Sequence, residues 1–134
     1  MSIHLERNDL INAQQMEVAV NGPDGATHLI LCTGIVSLGS IRHETYTFLV
    51  GPQLSQRQFV GVIASGALAT IQIEEKNSRE SPNIELGANL VLIDANYDDK
   101  TGQVKVRAEV SSSIAMTKLA ISYNVNILAE LPIL

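Results

Sequence analysis

The sequence predicts an all-β fold, an antiparallel β-sandwich of about seven or eight strands, immunoglobulin-like or jelly-roll in type. Three observations carry that expectation. Apolar residues recur at every second position through much of the chain, the period of a strand and not of a helix. Gly, Pro, Asn and Asp punctuate these runs at regular spacing, as turns do in sandwiches and barrels. The 134 residues, 46% of them hydrophobic, make one domain that can bury roughly two-thirds of its unfolded surface. A single domain over 1–134 follows. Residues 1–14 mix polar and apolar types and read as a mobile N-terminal arm.

Along the chain, Met16, Val18 and Val20 alternate before "NGPDG" at 21–25, where two turn signals in five residues predict a hairpin connection. Ala26 to Val36 follows as a second long strand. Thr45 to Val50 is a third, closed by Gly51 and Pro52.

Residues 54–69 can be read in two ways. Ser55 and Gln58 have capping-box spacing, Leu54 and Phe59 could form a hydrophobic staple, and Phe59, Val60, Ile63, Ala64, Ala67 and Leu68 would line one helical face. Against a helix stand the β-branched Val60, Val62 and Ile63, with Gly61 and Gly66 each weakening it by about 1 kcal/mol relative to Ala. The alternative is two strands, 58–64 and 67–75, folding back near Ser65 and Gly66. The strand character of the neighbours favours it.

"KNSRESP" at 76–82 reads as a polar loop and Asn89 to Asn96 as a strand. Val104, Val106, Ala108 and Val110 alternate with Lys105, Arg107 and Glu109. Leu119, Ile121, Tyr123, Val125 and Ile127 alternate with Ala120, Ser122, Asn124 and Asn126. Both patterns fit half-buried antiparallel strands. Ser111 to Thr117 connects them, and its serine run has no His or acid nearby in sequence to suggest a nucleophile.

Composition narrows the function classes. Charged residues make up 17% and the net charge is −5, with nine Lys and Arg that form no cluster. Sequence-independent nucleic-acid binding needs a concentrated basic surface and is not expected. Aromatics at 4%, with no Trp, leave few platforms on which bases or sugars could stack. Cys32 is the single cysteine, which excludes an intrachain disulfide and a multi-thiolate zinc site. No basic-then-apolar leader opens the sequence, and no apolar run reaches the roughly 20 residues of a membrane helix. A soluble, cytoplasmic protein without membrane contact is the expectation.

The most chemically loaded stretch is "DANYDDKTGQVK", 94–105. Asp94, Asn96 and Asp98 stand where an EF-hand calcium loop needs positions 1, 3 and 5. Asp99 replaces the obligatory Gly at position 6, and Lys105 the bidentate Glu at position 12. A hairpin turn explains the same residues, with Asp98 and Asp99 at its start and Gly102 closing it. Lys100 also breaks an aspartic-protease reading of the Thr101–Gly102 pair.

His28 and Cys32 fall on one face of a strand but roughly 13 Å apart, too far for a thiolate–imidazole pair. Gly34 to Ser40 has phosphate-loop glycine spacing without the following Lys. A metal enzyme using His28, His43 and an acid ranks last. No catalytic, metal or cofactor site is therefore assigned, and the enzyme question leans to no.

What remains is a pair of strands with two apolar faces. Leu29, Leu31 and Ile35 lie opposite Ile30, Cys32 and Val36, while Leu90 and Leu92 lie opposite Val91, Ile93 and Ala95. Cover could come from within the chain, from 54–69, or from a second subunit. The leading expectation is a non-catalytic sandwich that acts through self-association or with a protein partner, with Ile30, Cys32, Val91 and Ile93 as interface residues. The alternative is a small β-barrel or sandwich holding an apolar small molecule.

Overall fold

The computed structural model describes residues 2–20, 27–41, 43–73, 88–112 and 117–130. Nearly all of them lie in strands: β1 (Ser2–His4), β2 (Leu10–Ala19), β3 (Thr27–Ile41), β4 (His43–Val50), β5 (Phe59–Ile73), β6 (Ala88–Asp98), β7 (Gln103–Ser112) and β8 (Thr117–Glu130). A single 3-10 turn, Arg7–Asp9, separates β1 from β2. Two four-stranded sheets result, in the orders β1-β4-β7-β6 and β2-β3-β8-β5. Every pair is antiparallel except β1 with β4. The fold is an all-β sandwich, as its period-two pattern requires.

The central strands show why. Along β8, Leu119, Ile121, Tyr123, Val125, Ile127 and Ala129 are all buried, and Ile30, Cys32, Val36 and Leu38 of β3 join them on the same inner face. The first sheet answers with Tyr46, Phe48 and Val50 of β4 and Val104, Val106, Ala108 and Val110 of β7. Each fully buried Val, Leu, Ile or Phe contributes about 1.5–3 kcal/mol, so this interlayer core is the main term holding the sheets together. Phe48 and Tyr123 meet across it, with ring centroids 5.1 Å apart and tilted by 59°.

Three expectations change. First, β5 is one continuous strand, neither a helix over 54–69 nor a pair of strands hinged at Ser65. The local signal was genuine: the Ser55 N–H donates to Gln58 Oε1 at 2.8 Å, and the Gln58 N–H to Ser55 Oγ at 3.3 Å. It closes one turn only. Val62 and Ile63 pair along β8, Gly66 stays in register opposite Tyr123, and the strand runs on through irregularities at Phe59/Gly61 and Leu68/Thr70.

Second, the apparent two-facedness of 90–95 comes from a β-bulge. Leu90 pairs with Val110 and Leu92 with Glu109, so Val91 is the extra residue. The shift brings Leu90 and Ile93 onto the same side, and both pack against the core. Of the apolar side chains described in 90–95, Leu92 alone faces out.

Third, where an arm is expected at 1–14, β1 pairs with β4 and the start of β2 with β3. Leu5 between them is buried, its N–H bonded to the Thr47 carbonyl at 2.7 Å. The "NGPDG" connection and the 76–82 loop lie outside the described residues.

Candidate functional site

The hairpin of β6 and β7 settles the role of its own carboxylates. Asp98 accepts from Thr101 Oγ1 at 2.8 Å and from the Lys100 N–H at 3.4 Å, and the Gly102 N–H closes the turn on the Asp98 carbonyl at 2.8 Å. Gly102 sits at φ +74°, the left-handed conformation that glycine adopts without a side-chain penalty. The Thr101 hydroxyl, with help from Lys105 and Lys100, holds the Asp98 carboxyl below the ordinary range. Asp94 lies 2.8 Å from Arg107. The tip also anchors its neighbours: Gly102 O accepts from the Leu54 N–H, and Tyr97 donates its hydroxyl to Leu54 O, both at 2.6 Å. "DANYDDKTGQVK" is a structural hairpin.

Other titratable groups are likewise engaged. His4 lies 3.2 Å from Thr47 Oγ1. His28 Nδ1 comes within 2.8 Å of the Glu17 carboxylate without hydrogen-bond alignment, so the contact is one of charge when the imidazole is protonated. The His43 side chain lies outside the described residues. Burial pushes the Cys32 thiol up to about 11, so it is protonated and a poor nucleophile near neutral pH. Among the described residues, no group of three or more His, Cys, Asp or Glu is arranged to hold a metal.

The residues expected at an interface move inward. Ile30 and Cys32 are buried in the interlayer core and Ile93 packs on it, so none of the three offers a free outer face. Val91 is the bulge residue, and its side chain lies outside the described residues.

The contrast between the two outer faces is the informative feature. On the first sheet, β7 places Lys105, Arg107 and Glu109 outward beside Asp94 and Asn96 of β6, a charged surface tied by the Asp94–Arg107 pair. On the second sheet the register builds four successive rows across all four strands. They are Val18, Leu29, Leu128 and Gly61; Met16, Leu31, Asn126 and Ile63; Gln14, Thr33, Asn124 and Ser65; and Ile11, Ile35, Ser122 and Ala67. None of these residues is charged. Ile63 is 73% and Met16 62% exposed. Asn126 Oδ1, inside this face, is buried and has no hydrogen-bond partner among the described residues. β3 is two-faced, as its sequence indicates, but the expected interface residues Ile30 and Cys32 lie on its inner face: both faces are apolar and only strand order decides between them.

A separate cleft of about 690 Å³ lies where the 3-10 turn crosses between the sheets. Leu5, Cys32 and Tyr123 line it, with exposed His4 and Arg7 also contributing. No helix among the described residues is long and apolar enough to cross a membrane. No protein-family model, no curated protein and no solved structure matches this chain.

Proposed function

We propose that this chain is a non-catalytic β-sandwich that acts through association, with itself or with a protein partner, using the four uncharged rows on the outer face of its second sheet. The supporting observation is the asymmetry of the two outer faces. Four uncharged rows that include exposed Met16, Val18 and Ile63 are a costly surface to leave in water, and such patches usually mark association sites. The first sheet, with its charged ladder, is suited to solvent.

The test is a charge placed on the face at positions that do not support the fold. Ile63→Lys and Asn124→Lys both alter exposed side chains. Together they should abolish association in sedimentation velocity while leaving the thermal midpoint unchanged. Association that survives both substitutions refutes this face as the site.

The cleft beside the 3-10 turn favours a second reading, a small-molecule carrier. Its lining combines the Tyr123 ring with polar groups at His4 and Gln103, which suits a mixed polar and apolar ligand better than a purely apolar one. Native mass spectrometry of the purified protein tests it directly. A retained adduct supports the carrier reading, and bare protein counts against it.

A further inference from the structure

The four edges of the two sheets are not equally defended. β1 ends the first sheet with three residues only. β6 and β5 both carry irregularities and approach one another, Gly66 lying against Leu90 and Ile93. β2 differs. Beyond an irregularity between Ile11 and Gln14, where Asn12 takes φ 54°, residues 14–19 run in unbroken register with β3 and all are exposed. Short length, bulges, Lys, Pro or a covering element normally blunt an open edge; among the described residues 14–19 has none of them, and its one charge is Glu17.

The direction of the open peptide groups follows from the ladder. The Val20 N–H donates to the Thr27 carbonyl at 2.9 Å, so Val20 belongs to a hydrogen-bonded pair with β3. Alternation then directs Val18, Met16 and Gln14 toward β3, and turns the N–H and C=O of Gln15, Glu17 and Ala19 outward. Among the described residues no strand pairs with them.

We propose that β2 pairs antiparallel with β2 of a second copy about a two-fold axis through Val18, joining two second sheets into one of eight strands. The proposal rests on the self-association part of the reading above and names its partner, but it moves the contact from the sheet face to the β2 edge. Asn124 and Ile63 lie two and three strands away, so their substitution by Lys should leave an edge-paired dimer intact. The axis position follows from charge and register. Centred on Glu17, the pairing would set two carboxylates directly opposite each other, which destabilises a strand pair. Centred on Met16, it would draw the irregular stretch at Asn12 into the ladder. Centred on Val18, Glu17 meets Ala19 of the second copy, and its carboxylate already faces His28 of its own chain. Exposed Met16 then meets Val20, and Val18 meets Val18, giving an apolar seam continuous with Leu29 and Leu31. A two-fold contact must be self-complementary, and this one is.

The experiment uses the full chain with single cysteines added at the edge. Val18 would form a non-hydrogen-bonded pair with its copy at a Cα separation of about 4.5 Å, within disulfide reach. Met16 and its copy would stand roughly 13 Å apart. Val18→Cys should therefore oxidise to a covalent dimer and Met16→Cys should not, with buried Cys32 silent in both. Ala19→Pro removes only an outward N–H, so the protein should lose its dimer in light scattering while keeping its circular dichroism spectrum.

A dimeric wild type whose Val18→Cys form does not crosslink overturns the edge pairing but leaves the association reading standing. Persistence of the Ala19→Pro dimer does the same. Crosslinking through Met16→Cys overturns the register. A wild type that stays monomeric overturns the edge pairing and the self-association half of the reading above, leaving the edge to a strand from another protein.

Discussion

The hydroxyl of Tyr123 occupies the space that a side chain on Gly34 would need. A Cβ at Gly34 would lie 2.6 Å from that hydroxyl and 2.8 Å from the ring carbon Cζ. The two residues are directly opposed in β3 and β8, and the ring reaches across its neighbour's backbone to pack on Phe48 of the other sheet. Gly34→Ala should displace the ring and destabilise the protein by about 1–3 kcal/mol in urea unfolding. Adding Tyr123→Phe, which removes the closest contact, should recover part of that loss as a measurable coupling.

Ile93 and Ile63 separate core from surface. Ile93 lies inside against Gly66, and Ile63 faces water. Ile93→Lys should cost about 2–3 kcal/mol of stability by forcing a charge against the core, whereas Ile63→Lys should stay within about 0.5 kcal/mol. Thermal or urea unfolding of the two variants checks this. Equal, small effects would return Ile93 to the surface.

For the loop at Asp98, the prediction concerns local order. Asp98→Ala removes the acceptor for the Thr101 hydroxyl and the Lys100 N–H. The Leu54 N–H, bonded to Gly102 O, should then exchange with deuterium markedly faster. Added calcium should leave the thermal midpoint unchanged.

Buried thiol and phenol groups set the alkaline limit. Cys32 rises from 9.0 to about 11, and Tyr46 from 10.0 to about 12, both by burial, with the Glu44 charge adding to the latter. A folded-state pKa raised above the unfolded one stabilises fully below the unfolded value, and that stabilisation is lost as pH rises through the folded value. Stability should therefore be level through neutral pH in respect of these groups and fall between pH 9.0 and about 12. Cys32→Ser should remove its part of that fall. A thiol reagent at neutral pH should label Cys32 only after unfolding.

Strands that obey a simple rule were legible in the sequence. β7 and β8 keep one strictly apolar face, so Val104 to Val110 and Leu119 to Ile127 could be placed and oriented from their residues alone. β6 misled because the extra residue at Val91 shifts its phase, and a period-two reading assumes no shift. The helix option at 54–69 was equally local: Ser55 and Gln58 make their capping contacts, while pairing of thirteen of the fifteen β5 residues with β8 decides the rest. β2 gave little signal before Met16, since an edge strand exposed on both faces need not alternate. The inner face of β3 could not be told from its outer one, because Ile30 and Leu31 are equally apolar. The sheet partners decide, and they lie far away in sequence.

The mass of the wild-type chain in solution tests the central claim most directly. Static light scattering from about 1 to 100 µM spans the affinities at which a specific contact is worth roughly 5–8 kcal/mol. Self-association predicts a mass that climbs to at least twice 14.5 kDa within that range. A mass that stays at 14.5 kDa throughout would contradict it.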